Sequence, residues 1–269
     1  MTALAVRQEP SGRLRADVVS VAAIDDATKT AMWRVFARYY ADVARDAFEL
    51  DLSEKDDVIL LSDSGDGSVQ GFSTLKVFEE TIDGRRCLAI FSGDTIVEEA
   101  YWGQRALHRR FIRYVVMKKV SNPHLSVYWF LITKGYKTYL LLARNFPGYW
   151  PRHDSATPPI EGALLDRLAV RKFGEAWRPS LGVLKFERCI GRLKEGVAPI
   201  EASLLDDPDV RFFASKNPGH ARGDELCCLG RVDLGLWFAF TARLFERTFR
   251  RTGDRARRIW AVAAAALSG

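Results

Sequence analysis

Apolar and polar positions follow helical spacing and then strand spacing along the first hundred residues. Apolar side chains recur at steps of three and four residues between Met32 and Val43, which predicts an amphipathic helix. A second, shorter helix is predicted over residues 44–55. Strands are predicted over 17–24, 57–62, 69–80 and 86–97, and turn residues separate the last three of them. The pattern therefore predicts one strand, two helices and a meander of three antiparallel strands.

The following segment places an apolar strand between two helices. Residues 103–119 predict a helix, residues 124–133 an apolar and aromatic strand, and residues 135–144 a further helix. The resulting order, β-α-α-β-β-β-α-β-α, predicts an α+β fold with a mixed, mostly antiparallel sheet flanked by helices. Three prolines between residues 151 and 159 mark the expected end of this core.

A chain of 269 residues is long enough for one core of about 150 residues with an elaboration. We expect a flexible arm over residues 1–16, the core over residues 17–155, and a mainly helical extension over residues 156–269 that packs on the core. Within the extension, helices are predicted over 160–174, 200–205 and 209–215 and a strand over 181–187. Residues 224–251 are apolar enough on one face to pack on the core.

Composition narrows the class of protein. Hydrophobic residues make up 48% and charged residues 28% of the chain, which is an ordinary globular balance. No stretch reaches the roughly 18 apolar residues that span a bilayer, and no apolar run of signal-peptide type follows Met1. Four cysteines without a CxxC spacing favour a reducing, cytoplasmic location and give no support for a zinc site, so no metal is expected.

The net charge of +6 is concentrated near the C-terminus. Seven arginines lie between Thr241 and Trp260 against two acidic residues, and several of them, from Arg243 to Arg258, fall close to helical spacing. This arginine stripe is either the solvated face of a helix or a dock for an acidic partner, such as a carrier protein, a leader peptide, a phosphate or a membrane surface. Nucleic acid is not expected, because no recognised nucleic-acid motif accompanies the stripe.

Two segments resemble a known family. They read FSGDTIVEEAYWGQRALHRRF over residues 91–111 and LSVYWFLITKGYKTYLLLARNF over residues 125–146. Together with the order of elements they are similar to the GNAT superfamily of acyl-CoA-dependent N-acyltransferases. In that family a strand ends in a bulge, and a glycine-rich turn opens a helix whose backbone amides bind the pyrophosphate of CoA. A helix N-terminus suits this role because its N–H groups are free and its dipole end is positive.

The resemblance implies a donor site after the strand 86–97. Its residues are Val97, Trp102, Gly103, Gln104, Arg105, Ala106 and Arg109. Of the glycine-rich pattern only Gly103 matches, because Ala100 and Arg105 replace the usual Arg/Gln and the usual small residue. The donor is therefore expected to be either acyl-CoA held mainly by arginine side chains or an acylated carrier protein.

The candidate bases are the carboxylates Asp94, Glu98 and Glu99. Asp94 and Glu98 share one face of a regular strand, so an inward pair would raise one pKa and favour proton acceptance; solvent-facing charge is the alternative interpretation. The resemblance also implies a tyrosine on the helix 135–144 that protonates the leaving thiolate. The family position falls on Leu141, so Tyr139 and Tyr136 are displaced candidates, with simple packing as the alternative.

The leading hypothesis is an N-acyltransferase that moves a medium or long fatty acyl group to an amine, such as a lysine or ornithine side chain of a peptide. The phrases over residues 48–57, 70–74 and 217–226 resemble GNAT-like proteins that lipidate bacterial peptide natural products. Residues 101–150 hold 12 of the 31 aromatic residues, which indicates either an acyl tunnel or a thick core. The alternatives are a non-catalytic GNAT-like module that binds an acyl thioester or a peptide, and a small-amine acetyltransferase.

Overall fold

The computed structural model describes residues 12–186, 192–193, 200–233 and 235. The chain divides into two compact units, residues 1–232 and residues 233–269. Almost all of the second unit, including the predicted arginine stripe between Arg243 and Arg258, lies outside the described residues.

The described residues form six helices and eleven strands. The helices are α1 (Asp26–Tyr39), α2 (Arg45–Ser53), α3 (Ala106–Ser121), α4 (Tyr136–Asn145), α5 (Pro159–Phe173) and α6 (Pro208–Lys216). The strands are β1 (Leu14–Ser20), β2 (Tyr40–Ala41), β3 (Asp57–Asp63), β4 (Val69–Ile82), β5 (Arg85–Val97), β6 (Ser126–Thr133), β7 (Tyr149–Trp150), β8 (Trp177–Arg178), β9 (Val183–Leu184), β10 (Arg192–Leu193) and β11 (Glu225–Val232).

One large sheet organises the unit. Its strand order is β1-β3-β4-β5-β6-β11-β9-β8, with β7 also paired to β11. Every pairing is antiparallel except that of β5 with β6, which is parallel because α3 connects these two strands. The predicted fold class, an α+β fold with a mixed, mostly antiparallel sheet flanked by helices, is confirmed.

The sheet recruits strands from both ends of the expected core. Leu14, inside the expected arm, already pairs with Asp63 of β3. From the expected extension, β11 inserts beside β6, with pairs running from Leu226↔Thr133 to Val232↔Val127. A strand covered on both faces is a near-continuous apolar run, and the run in β11 is too short for sequence periodicity to separate strand from helix. Residues 14–16 and 225–232 thus belong to the sheet.

Helices cover both faces of the sheet. On one face, α1 and α2 pack over Val58, Phe72 and Ile96. On the same face, α5 packs over the lower halves of β4 and β5. On the opposite face lies α3, whose Phe111 ring centroid is 4.7 Å from that of Trp129 on β6. This double cover leaves the middle strands β5 and β6 deep in the molecule.

Candidate active site

The strands β5 and β6 are paired over only part of their length. Six residue pairs join them, from Cys87↔Ser126 to Ser92↔Leu131. Beyond Ser92, β5 continues to Val97 paired with β4 alone, while the end of β6 pairs with β11. A strand edge without a partner leaves backbone N–H and C=O groups available. The sheet therefore opens between β5 and β6, and one edge of residues 93–97 faces this opening.

A β-bulge lies where the two strands part. Gly93 and Asp94 of β5 together oppose the single residue Thr74 of β4. Glycine is required in the bulge because a Cβ at Gly93 would lie 2.5 Å from Thr74 Oγ1 and 3.2 Å from Lys55 Cε. Bulges commonly occur next to active sites, where they redirect a side chain. Here the redirected side chain is that of Asp94.

The bulge moves Asp94 to the other face of the sheet. In a regular strand Asp94 would share the face of Ser92, whose hydroxyl accepts a hydrogen bond of 2.8 Å from the Trp129 indole under α3. Past the bulge, Asp94 instead shares the face of Ile96, which packs under α1 and α2. The Asp94 carboxyl accordingly lies near the charges of Asp51 on α2 and of Lys55 just after it.

The pKa of Asp94 is shifted toward neutrality. Burial raises it from 3.8 to about 7, the negative charges of Asp51 and Glu225 act in the same direction, and Lys55 and Lys134 act against them. Within the described part of the chain, no hydrogen bond or ion pair holds this carboxylate. A carboxyl whose pKa lies near the working pH is suited to accept a proton from a substrate. Asp94 thus has the properties of a general base.

Three more polar side chains line the same side of the opening. The Lys134 ammonium, just after β6, lies 3.3 Å from the Glu225 carboxylate and 5.7 Å from the centroid of the Tyr40 ring. Burial raises the pKa of Tyr40, and the charges of Asp94 and Glu225 raise it further. Burial also raises the pKa of Glu225, while Lys134 opposes that rise. Sequence reasoning did not select Glu225, because its place beside Asp94 depends on the insertion of β11.

Glu98 lies just past the end of β5 and contacts α1. One carboxylate oxygen accepts a hydrogen bond of 2.6 Å from Arg38 Nη1, and the other accepts one of 3.0 Å from the Tyr39 hydroxyl. That hydroxyl also accepts the backbone N–H of Glu99 at 2.6 Å. Both Glu98 oxygens are therefore engaged in holding α1 to the end of β5. Asp94 was expected to form an inward carboxylate pair with Glu98. The carboxylates that raise the pKa of Asp94 most are instead Asp51 and Glu225.

The turn from β5 to α3 contains most of the residues expected to bind the donor. Gly103 has a φ of +89°, which favours glycine. The Trp102 indole donates a hydrogen bond of 2.8 Å to the Val97 carbonyl, and its side chain remains 50% exposed. The side-chain oxygen of Gln104 accepts the amide of Leu14 at 2.9 Å, which ties the turn to β1. The turn is thus fixed at both ends, and its glycine and indole stay exposed.

The N-terminus of α3 lacks the features that usually stabilise a helix start. No side chain caps it and its first turn contains no acidic residue, while Arg105 and Arg109 are both exposed there. The amides of Ala106 and Leu107 have no carbonyl partner within the helix. Of the described α-helices, only α4 shares this lack, since α1, α2, α5 and α6 each have an acid in the first turn. Acidic side chains are favourable at the positive end of a helix, so their absence leaves this end open to an anionic ligand.

The turn that precedes α3 comes close to the beginning of α4. The Lys137 ammonium, in the first turn of α4, lies 5.8 Å from the centroid of the Trp102 ring. Trp102 follows β5 and Lys137 follows β6, so the two diverging strands lead to one shared site. Both side chains are exposed and so can meet a ligand there.

The two tyrosines of α4 occupy different surroundings. Tyr139 is fully buried against Phe212 and Phe213, and its hydroxyl donates a hydrogen bond of 2.9 Å to the Pro151 carbonyl. Burial raises the pKa of Tyr139 far above its usual value. Tyr136 begins α4, close after the end of β6, and its hydroxyl makes no hydrogen bond within the described residues. Of these two hydroxyls, that of Tyr136 is thus the one not already committed to a hydrogen bond within the described residues.

The described cysteines are not activated as nucleophiles. Cys87, Cys227 and Cys228 are buried free thiols, and burial raises the pKa of each. A raised pKa keeps sulfur as the unreactive thiol. Among the residues that the structure describes, no group of His, Cys, Asp and Glu side chains gathers to hold a metal ion. Among these same residues, no helix is both long enough and apolar enough to cross a bilayer.

No protein-family model and no curated protein matches the chain. Similar solved structures include the GNAT family N-acetyltransferase YhbS of Escherichia coli in complex with CoA, with 16% identity and a TM-score of 0.33 over 51% of this chain and 71% of that chain. A second is a conserved protein of Enterococcus faecalis V583, described as a probable N-acyltransferase. It has 12% identity and a TM-score of 0.38 over 82% of this chain and 65% of that chain. A third is glucosamine-6-phosphate N-acetyltransferase of Arabidopsis thaliana, with 8% identity and a TM-score of 0.37 over 54% of this chain and 99% of that chain. At such identities and TM-scores these likenesses assign neither an activity nor a substrate to this chain.

Proposed function

We propose that the chain is a GNAT-type N-acyltransferase that moves an acyl group from a thioester directly to an amine. The observation that carries this proposal is the opening between β5 and β6. It has a free strand edge over residues 93–97, the Asp94 carboxyl with a pKa of about 7 on one side, and an uncapped basic helix start at its end. A thioester, an amine and an anionic cofactor each find a complementary group there.

The donor is proposed to lie along the free edge of β5. Backbone N–H groups of residues 93–97 that face away from β4 can bind the amide or carbonyl oxygens of an extended ligand, as a further strand would. Its phosphates would meet the first amides of α3 and the exposed side chains of Arg105 and Arg109. Val97, Trp102, Gly103 and Ala106 complete this site, and Gln104 holds the turn in place. Acyl-CoA and an acylated carrier protein both carry the phosphate that this site would bind.

The chemistry proposed for the opening needs three proton transfers, two of them through side chains and one to solvent. Asp94 accepts a proton from the acceptor ammonium, and the neutral amine nitrogen then attacks the thioester carbonyl carbon. When the C–S bond breaks, the Tyr136 hydroxyl gives its proton to the leaving sulfur, and solvent takes up the proton that the new amide nitrogen loses. Both oxygens of Glu98 already accept hydrogen bonds from Arg38 and Tyr39. In this proposal Glu98 therefore positions the end of β5 and is not the base. No covalent acyl-enzyme is required, in accord with the protonated, buried thiols.

A fatty acyl group and an amine such as a lysine or ornithine side chain are the finer assignment that we propose. Support comes from the aromatic wall on the side to which Asp94 turns, where the Phe36 ring lies 4.7 Å from Tyr40 and 5.0 Å from Phe48. Apolar and aromatic walls suit a long acyl chain. A short acyl donor is the competing outcome that the assay below separates.

The proposal is tested by incubating the full chain with acyl-CoAs from acetyl to palmitoyl, and with the same acyl groups on a carrier protein. Acceptors are a lysine peptide, an ornithine peptide and butylamine. The amount of released thiol should equal the amount of N-acyl product measured by mass spectrometry, and Asp94→Asn should lower the rate of formation of both at least about a hundredfold. Donor binding without turnover of any pair would contradict the proposal and favour a non-catalytic module.

A further inference from the structure

Three polar groups converge beside the opening without bonding one another. They are the carboxyl of Asp94, the hydroxyl of Tyr40 and the carboxylate of Glu225. The Lys134 ammonium is 3.3 Å from Glu225 and 5.7 Å from the Tyr40 ring centroid, so one side chain contacts both residues. The charges of Asp94 and Glu225 both act on the Tyr40 hydroxyl. These groups come from β5, β2 and β11, which only the fold brings together.

Two of the three groups have no hydrogen-bonding partner among the described residues. Neither the Tyr40 hydroxyl nor the Asp94 carboxyl makes a hydrogen bond there, although both are partly buried. The Glu225 side chain is bound on one side by Lys134 and keeps 12% of its surface exposed. Neither the Tyr40 hydroxyl nor the Asp94 carboxyl is among the fully buried polar atoms that lack a partner in the described part of the chain, so both remain accessible through the opening. Three neighbouring groups that are accessible and have unused acceptor capacity form a site suited to a ligand with several N–H donors.

We propose that Tyr40 and Glu225 bind the acceptor amine beside Asp94, an inference that rests on the proposed function. A primary ammonium group has three N–H donors. The Tyr40 oxygen and the Glu225 carboxylate accept two of them, and Asp94 accepts the third and removes that proton. The nitrogen is left with a lone pair while its two remaining N–H bonds stay held. The chemical class of acceptor is therefore a primary aliphatic amine.

The two carboxylates divide the work because their surroundings differ. Lys134 forms an ion pair with Glu225 and opposes the rise in pKa that burial causes, which favours the charged carboxylate as a fixed acceptor. Asp94 has no such partner among the described residues and so takes up the proton. Pairs of carboxyls in unlike surroundings commonly take separate roles in this way. A secondary ammonium has only two N–H donors and would leave one acceptor unsatisfied, so it should be a poorer substrate.

The kinetic test uses Tyr40→Phe and Glu225→Gln, which keep side-chain volume. Each should raise the KM for butylamine at least tenfold and leave the KM for the acyl donor unchanged. Matched controls are Tyr128→Phe and Glu161→Gln, because the Tyr128 hydroxyl donates to Glu161 at 3.1 Å in the buried core under α5. These controls should leave both KM values unchanged. An unchanged KM for butylamine in Tyr40→Phe and Glu225→Gln, with turnover intact, would overturn the inference and leave the proposed function standing.

A binding measurement separates the inference from the proposed function. Butylamine binding to the full chain is followed by calorimetry at pH 8, with butan-1-ol as the uncharged control. The amine should bind and the alcohol should not. Tyr40→Phe and Glu225→Gln should each lower the affinity for the amine at least tenfold, whereas Tyr128→Phe should not change it. This result would support the amine site even if no donor is turned over. Equal affinity for the amine in all three variants and the parent chain would contradict it.

Discussion

The two halves of β5 differ in pairing, burial and charge. From Cys87 to Ser92 every residue is buried and paired with β6. From Gly93 to Val97 the strand is paired with β4 alone, and most of its side chains are partly or fully exposed. The paired segment 87–92 carries no charged residue, although the exposed Arg85 and Arg86 precede it, whereas the open segment carries Asp94. One strand thus serves the core at one end and the site at the other.

The difference shows where the molecule gives up stability for chemistry. A carboxyl whose pKa is raised by burial opposes folding at neutral pH, because the charged form is disfavoured in the folded state. The lost pairing of residues 93–97 with β6 also removes ladder hydrogen bonds. Substitutions in the paired half should therefore change stability and spare the kinetics, and substitutions in the open half should do the reverse.

The largest effect is expected for Asp94→Asn. Loss of the general base should lower kcat/KM for the amine by about 10²- to 10⁴-fold. The parent chain should show kcat/KM rising with pH and levelling off above about 7, because Asp94 must be ionised to accept a proton. That inflection should vanish in the variant. A variant that keeps the parent rate and the same pH profile would remove Asp94 from the mechanism.

Ile90→Ala tests the paired half. Ile90 is fully buried and pairs with Trp129 of β6. Its truncation should lower the free energy of unfolding by about 2–5 kcal/mol, measured by urea denaturation. Kinetic constants at 25 °C should stay within about twofold of the parent. The milder Ile90→Val, which should cost about 0.5–1.5 kcal/mol, keeps the test valid if the first variant does not fold.

A smaller effect is expected when the start of α3 is made acidic. The double variant Arg105→Glu/Arg109→Glu should raise the KM for the donor roughly tenfold, the equivalent of about 1.4 kcal/mol, and added salt should reduce the difference. Stability should stay level or rise slightly, because acids suit this end of a helix. Arg113→Glu, one turn further along the exposed face, is the control and should change the donor KM little. An equal rise in the donor KM in the double variant and in Arg113→Glu would contradict this prediction and indicate a general effect of charge.

The smallest effect is a stability difference that grows with pH. The pKa of Asp94 is raised in the folded chain, from 3.8 to about 7. Its contribution to stability is therefore fully present below pH 3.8 and is lost as pH rises to about 7. Asp94→Asn should melt close to the parent at pH 4 and at least about 2 °C above it at pH 8. A constant gap between the two melting temperatures would show that Asp94 does not titrate in this way.

Periodicity predicted the elements of the core well but not the details that build the site. The first helix and the three-strand meander were visible because one face of each element is apolar. The prediction that this helix runs on to Val43 was wrong, since α1 ends at Tyr39 and Tyr40 begins β2. The bulge at Gly93 and Asp94 was not visible in the sequence, because a one-residue change of register depends on how β5 pairs with β4. Glu225 was missed for the same reason, since only the pairing of β11 with β6 brings it to the opening. Local pattern predicts elements, and contacts between distant residues decide which side chains meet.

Hydrogen–deuterium exchange with and without an acyl-CoA tests most directly whether the opening between β5 and β6 binds the donor. Acetyl-CoA and palmitoyl-CoA are each added to the full chain, and exchange is followed in peptides spanning residues 87–110. We expect slower exchange over residues 93–97 and at the first amides of α3, with residues 87–92 unchanged. A donor that binds tightly while leaving residues 93–108 unchanged would contradict the account.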